Sequence, residues 1–542
     1  MATERFDLLL IGGTLLDGSG SPARIADVGI TGDRITDIGN LAQRSSLRTL
    51  DCTGLCVAPG FIDIHTHSDV SVTYDPPQAS AIGMGVTTQV VGNCALSLGF
   101  ATDDPVFAFE KRALALHGAR ITWSSFAGHL DIVEGRGTGT NYVPLAGHGT
   151  LRKRVMGMQD TVASAEDLAA MRQELERAFE AGAWGISSGL EYPPSAYAGV
   201  AELTNLCQVA AAYGGLYATH LRNEGDTLVE AVQEALDVAA GASVPLQLSH
   251  HKAEGRHNWG KIRTTLAMVD AARDSGLDVQ MDQYPYTAYM TGLAIQTLPA
   301  WAVRGDPEEY MARLRSAAER TTIREEIITR PGWSGSEAEQ TWSAIQIGVC
   351  RGRPELQGRS IASLAREAGQ PPLDYVLDLL IATDGFVSAV NFAIGEEDIA
   401  EVMRYPWTSI GSDGVGTHPG GSAATDRIHP RAYGTFPRVL GRYVRELNVL
   451  SLEKAVHKMS GLPAARLGLE NRGLLMPGSF ADITVFDPLT VGDLATFEEP
   501  HQFARGITHV FVNGAAALLD GRHTEHLGGR VLRRGSAQRS SN

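Results

Sequence analysis

Disulfide bonds cannot organise this chain, because cysteine is nearly absent: five residues in 542. An odd, scattered set of thiols suits a reducing compartment, and a cytoplasmic location is the expectation. Long hydrophobic runs are missing too. The apolar stretch from Phe6 to Ile11 is too short for a secretory signal, and far shorter than the ~20 residues of a membrane span. Positive charge is in deficit, with 46 Lys+Arg against 62 Asp+Glu and a formal charge of −16. No basic stretch interleaved with aromatic residues occurs, so neither a nucleic acid nor an anionic membrane is an expected partner. The GxGxxG and P-loop patterns of nucleotide sites are absent as well. Intrinsic disorder and collagen-like repetition do not fit a chain that is 43% hydrophobic with 60 glycines spread without a period.

What is present is a change of texture along the chain. Residues 1–58 hold short apolar runs such as "FDLLLIGGTLLD" and "ADVGITGDRITDIG", broken at turn spacing, and residues 466–530 repeat the pattern in "GSFADITVFDP" and "ITHVFVNGAAALLDG". Neither end is large enough for a strong core of its own, which predicts one discontinuous β-sandwich domain built from both termini. Between them, residues 59–465 alternate strand-like runs with helical stretches such as "SAEDLAAMRQELERAFEAG" and "DTLVEAVQEALDVAA". Eight strands are predicted, at 61–67, 86–93, 142–148, 184–190, 216–221, 244–250, 277–283 and 407–413. The fold class is therefore α/β, with a (β/α)8 barrel of the TIM type favoured over a doubly wound open sheet. The stretch 288–405 is too long for a plain connection and is expected to be an inserted helical subdomain or lid. Residues 531–542 are expected to form a loose tail.

The chemistry gathers at the ends of the predicted strands. In "GFIDIHTHSD", His65 and His67 stand two residues apart and project to the same side, where buried imidazoles are costly unless paired or ligating metal. Cys94 ends "TTQVVGNC", His220 ends "GLYATH", His250 ends "VPLQLSH" and Asp413 ends "WTSIGSD". Catalytic groups of α/β barrels collect at this C-terminal face. Together the six could surround one or two divalent ions, and mixed imidazole and thiolate ligands suit zinc better than magnesium or calcium. His148, in "LAGHGTLR", is read either as orienting water or substrate or as supporting the site from behind. His251 should point away from its neighbour His250. His418 and His429, in or beside the Gly-rich stretch after Asp413, are read either as touching substrate or metal or as loop histidines bonded to backbone, while the other histidines, and Cys52, Cys56, Cys207 and Cys350, have no organised context.

At this point the sequence resembles a known family. "GFIDIHTHSD", "GNC", "SSGLEYPPSAYA", "THLRNEGD", "SHHK", "DQYPY", "SDG" and "HPRAYGTFPRVLG" look like the D-aminoacylase, or N-acyl-D-amino-acid deacylase, branch of the amidohydrolase superfamily, over almost the whole chain. The resemblance implies a metal-bearing barrel with a small β-domain. It implies a tight zinc site at Cys94, His220 and His250, and a second, weaker divalent site at His65 and His67 with Cys94 as bridge. Asp413 would be the catalytic carboxylate, accepting a proton from zinc-activated water and returning it to the departing amine. Arg431 in "HPRAYGTFPR" and Tyr284 in "DQYPY" match the carboxylate-binding pair, with Lys252 in "SHHK" as a further candidate.

The chain also departs from its relatives. Residues 184–192, "WGISSGLEY", contain no lysine of the kind that hydantoinases and dihydroorotases carboxylate to bridge two metals. Cys94 would replace the bridge, with Glu191 as a supporting candidate or a loop salt-bridge residue. A family serine that assists carboxylate binding falls near Met290, with Thr291 adjacent, and the Gly-rich stretch after Asp413 is longer than expected. The implied partner is a small N-acyl amino acid, and homo-oligomerisation is left open. A cyclic-amide hydrolase or dipeptidase of the same superfamily, and a non-catalytic barrel used as an interaction module, are the competing readings. The missing lysine argues against the first, and the complete ligand set against the second.

Overall fold

The computed structural model describes residues 5–524 and 526–535. Its centre is a run of parallel strands, each hydrogen-bonded to the next: β1 (Phe61–Asp63), β2 (Val86–Val91), β3 (Asn141–Pro144, continued by Ala146–Gly147), β4 (Gly185–Gly189), β5 (Leu216–His220), β6 (Leu246–Leu248), β7 (Val279–Gln283) and β8 (Thr408–Ile410). The last strand meets the first beyond its end, where Thr66 bridges Gly414 in parallel and Asp413 N donates to His65 O at 2.7 Å. The strand residues are buried throughout, as parallel strands covered on both faces must be.

Helices cover the outside, and local sequence sets their bounds. The helix α1 (Ala165–Glu180) begins at Ser164, whose side chain accepts from the Asp167 amide while Asp167 reaches back to the Ser164 amide. The next three, α2 (Val200–Ala212), α3 (Leu228–Ala242) and α4 (Ile262–Asp274), follow β4, β5 and β6. In α3 the buried residues Leu228, Ala231, Val232, Ala235 and Leu236 recur at three- and four-residue spacing. They join Leu246, Leu248 and Val279 of the strands in one apolar core.

Strands from both ends of the chain share a seven-stranded sheet, in which Cys56–Pro59 pairs with Ile483–Phe486 antiparallel. A four-stranded sheet containing Phe6–Ile11 packs on it through Leu8, Leu10, Val28, Val57, Ile483 and Phe511.

Two segments differ from expectation. The stretch 288–405 is not helical alone: Tyr289–Gly292, Ser388–Asn391 and Ile345–Ile347 form an antiparallel sheet. Strands of three or four residues are too short to leave a readable period. The helix Glu396–Arg404 then returns the chain to β8. The tail is held at its start. Val531 bridges Tyr142, the Trp184 indole donates to Leu532 O at 2.5 Å, and Arg534 N donates to Gly182 O at 3.0 Å. Residues 536–542 of the expected loose tail lie outside the described residues. No helix among the described residues is long and apolar enough to cross a membrane.

Candidate metal centre and substrate site

Beyond the C-terminal ends of the parallel strands, Cys94 sits at the middle of three imidazoles. Its Sγ lies 3.3 Å from His65 Nε2, 3.5 Å from His250 Nε2 and 3.9 Å from His220 Nδ1. His220 Nδ1 and His250 Nε2 are 2.9 Å apart. All four residues are buried. In each ring the other nitrogen faces a carboxylate: His65 Nδ1 with Asp282 at 3.1 Å, His220 Nε2 with Glu191 at 3.1 Å, and His250 Nδ1 with Glu224 at 3.0 Å. A carboxylate only accepts, so the outer nitrogens of His65 and His220 carry the proton and their inner ones keep a lone pair turned toward the thiol, whereas His250 Nδ1 lies between Glu224 and the Lys252 ammonium, 3.1 Å away.

Asp413 completes one side. Its Oδ1 is 3.0 Å from His67 Nε2 and 3.5 Å from His65 Nε2, and its Oδ2 is 2.7 Å from Arg431 Nη1. Two groups have metal-ligand proximity, His65–Cys94–His250–Asp413 and His220–Glu224–His250, each with donor atoms within 4.8 Å of one another. The backbone is bent to achieve this: Cys94, His250 and Asp413 all have left-handed φ values, 51°, 32° and 50°. Non-glycine residues there cost roughly 1–3 kcal/mol each and are held only where surrounding structure fixes them, as at functional sites.

The electrostatics suit a cation. Burial alone would raise the Cys94 thiol, but without a metal the positive charge that protonated His65 and His250 bring holds it well below its ordinary range. Burial would likewise lower the rings, yet the thiolate and carboxylates raise His67 to about 9 and His220 to about 10. The thiolate thus demands positive charge at the point where the lone pairs converge, and a divalent ion supplies it more directly than protons on the rings. Borderline-soft sulfur and imidazole donors fit zinc. Asp413, which burial would raise, is held well below the carboxylate range by Arg431 and His67, so it is ionised at neutral pH.

The remaining sequence candidates divide. Tyr284 is buried with no partner for its hydroxyl, and Arg431 stacks on its ring at 4.9 Å. Lys252 pairs with Glu224 and lies 5.8 Å from the Tyr284 ring. These three border Asp413 and His250. His148 is taken elsewhere: its ring nitrogens contact Ser195 Oγ at 2.7 Å and Glu202 at 2.9 Å, and Arg152 holds the same Glu202. His251 turns away to Thr265 Oγ1 at 2.8 Å. Thr291 Oγ1 donates to the Tyr192 hydroxyl at 3.2 Å, while Met290 offers Arg431 only its carbonyl, at 3.4 Å. His429 donates to Ala288 O and accepts from Arg431 N, and the exposed His418 caps Gly420. The spacing Gly185-x-Ser187-x-Gly189 looks like a nucleophile turn but lies wholly within β4, where Ser187 Oγ donates to Gly92 O. Sequence reasoning missed Glu224 and Asp282. Both sit inside motifs it had noted, "THLRNEGD" and "DQYPY", and the need of buried ligating histidines for a carboxylate partner was the available signal.

Residues 48–517 match the amidohydrolase family. The chain belongs to that family. It is 40% identical to a D-aminoacylase of Alcaligenes xylosoxydans xylosoxydans, with 99% of each chain covered. It is 38% identical to an N-acyl-D-glutamate deacylase of the same organism, over 98% of this chain and 97% of that one. The crystal structure of N-acyl-D-glutamate deacylase from Bordetella bronchiseptica, complexed with zinc and a phosphonate mimic of the tetrahedral intermediate, superposes with a TM-score of 0.81 at 35% identity, covering 98% of this chain and all of that one. This amidohydrolase therefore shares its fold, from end to end, with enzymes that cleave linear N-acyl amides.

Proposed function

We propose that this amidohydrolase hydrolyses the amide bond of N-acyl-D-amino acids with zinc, releasing a carboxylic acid and a free D-amino acid. The observation that carries the reading is the convergence of three carboxylate-tethered imidazoles on the Cys94 sulfur, with an ionised Asp413 beside them. Cys94, His220 and His250 would hold the tight ion, and His65, His67 and Asp413 would offer a second, weaker site. When bound, the metal supplies positive charge that polarises the scissile carbonyl and acidifies water. Asp413 takes the proton of the attacking water and returns it to the leaving nitrogen. Arg431, Lys252 and the partnerless Tyr284 hydroxyl bind the substrate carboxylate. The closure of β8 on β1 is read as the (β/α)8 barrel, with the sheets of both termini as its attached β-domain. Five unpaired cysteines fit a cytoplasmic setting.

The test is hydrolysis of N-acetyl-D- and N-acetyl-L-amino acids, a hydantoin and small dipeptides by zinc-loaded protein, with zinc content measured on the same sample. Turnover of the D series with bound zinc is expected. Exclusive turnover of the cyclic amide, or no bound zinc and no metal-restorable hydrolysis, would sink the reading in favour of a cyclic-amide hydrolase or a non-catalytic module.

A further inference from the structure

The carboxylate-binding end of the site leads to a group that the mechanism leaves unused. Lys252 Nζ lies 5.8 Å from the ring of Tyr289 as well as from that of Tyr284. The Tyr289 hydroxyl accepts from Asn391 Nδ2 at 3.1 Å and faces the carboxyl of Glu254. Glu254 stands on the loop after β6, two residues beyond Lys252 and four beyond His250. The loops after three successive strands thus each bring a glutamate to the mouth of the site: Glu191 after β4, Glu224 after β5 and Glu254 after β6.

The three are not equivalent. Glu191 is engaged with His220, and Glu224 with His250 and Lys252. Among the described residues, the Glu254 carboxyl faces the Tyr289 hydroxyl and forms no direct ion pair, and Glu254 N donates to Glu224 O at 2.8 Å. Burial, then repulsion from Glu191 and Glu224, pushes its carboxyl up to about 7 against the opposing pull of the Tyr289 hydroxyl and Lys252. The nearby cation, Lys252, is already paired with Glu224, so a carboxyl so placed gains when a further cation arrives.

The substrate geometry says where that cation would come from. With the carboxylate on Arg431, Lys252 and Tyr284 and the amide beside Cys94 and Asp413, a side chain directed past Lys252 would meet Tyr289, whose ring lies 5.8 Å from the Lys252 ammonium. An acidic side chain would meet three glutamates, and an aliphatic one would leave Glu254 desolvated and unpaired. A long stem ending in an ammonium or guanidinium satisfies it while packing on the tyrosine ring.

We propose that Glu254 is the specificity-determining residue for the amino-acid side chain, and that the substrate class is N-acyl derivatives of basic D-amino acids such as D-lysine, D-ornithine and D-arginine. This rests on the deacylase reading above and goes beyond it, since relatives at 40% and 38% identity carry different substrate names.

The experiment compares kcat/KM for N-acetyl-D-lysine, N-acetyl-D-norleucine and N-acetyl-D-glutamate on the zinc-loaded enzyme. It adds calorimetric binding of the products D-lysine and D-norleucine, a readout independent of turnover. The wild type is expected to favour the lysine derivative over norleucine by about tenfold or more, and glutamate least. Glu254→Gln, which can still accept from Tyr289, should bring the lysine-to-norleucine ratio near one in both catalysis and binding. Glu254→Lys should turn the preference toward glutamate. A wild type preferring the neutral or acidic derivative overturns the proposal while leaving the deacylase reading intact, as does a Gln variant that lowers both derivatives by the same factor. Failure to cleave any N-acyl-D-amino acid overturns both.

Discussion

Cys94, His250 and Asp413 are non-glycine residues held at positive φ, each just past the end of a parallel strand. Left-handed backbone turns a side chain away from the direction a strand would give it, and here it turns a thiol, an imidazole and a carboxylate toward one point. Around that point the tethers Asp282 and Glu191 settle which nitrogen of His65 and of His220 is free, and Glu224 and Lys252 together hold His250. Asp282 also accepts from the His250 amide at 2.8 Å and from Gln247 Nε2 at 2.8 Å, so one carboxylate fixes His65, the loop carrying His250 and the floor of the site. At this scale the sharpest expectation concerns Asp413. Asp413→Asn keeps the size of the side chain but cannot take a proton, so kcat should fall by about 10²–10⁴-fold while zinc at Cys94, His220 and His250 is retained. Steady-state kinetics with metal analysis checks this, and unchanged turnover would falsify the proton-transfer role.

The elements matter through how closely their ends approach. Gly189 ends β4 directly behind the Cys94 loop, and a Cβ placed there would stand 2.5 Å from the Cys94 carbonyl oxygen. Only glycine allows that contact. The loop that presents the sulfur is therefore shaped by its neighbouring strand as much as by its own sequence. Gly189→Ala should displace the Cys94 backbone and lower zinc occupancy, with a matching loss of kcat/KM that excess zinc partly restores. Full occupancy and normal kinetics in that variant would show that the loop position is set elsewhere. The mouth elements act likewise: Tyr289–Gly292 belongs to the antiparallel sheet of the 288–405 stretch, so the insertion supplies the tyrosine that stands beside Lys252 and Glu254.

At the scale of the whole molecule, the terminal sheets and the parallel strands are joined by buried polar contacts rather than by apolar packing alone. Asp482 pairs with Arg472 and accepts from Asn513 N at 2.7 Å and from Asn141 Nδ2 at 3.1 Å, where Asn141 belongs to β3. Asn513 Nδ2 donates to Asn141 Oδ1 at 2.8 Å, and Arg472 Nη2 to Asn513 Oδ1 at 2.8 Å. All four residues are buried. Asp482→Ala leaves the Arg472 guanidinium buried and unpaired, which costs about 3–5 kcal/mol. Chemical denaturation should show that loss, and a change under 1 kcal/mol would mean that the junction does not depend on the pair.

Much of this was legible in the order of residues. Parallel strands buried on both faces read as short apolar runs between amphipathic helices, so the eight strands and the α/β class follow from local pattern. His65, His67, Cys94, His220, His250 and Asp413 could be picked out because each ends such a run. What stayed hidden depends on which strand ends meet. Glu224 and Asp282 look like ordinary polar residues in a loop and a strand. Their roles arise because β5, β6 and β7 are neighbours and β8 closes on β1. His148 also ends a strand, yet Ser195 and Glu202 occupy both its nitrogens, and no local pattern separates it from the histidines that converge. The sequence by itself determined the strands and the donor types, because periodicity and side-chain chemistry are local. Only the tertiary structure decided which donors share a point and which carboxylate holds each ring, because those are distances between residues far apart in the chain.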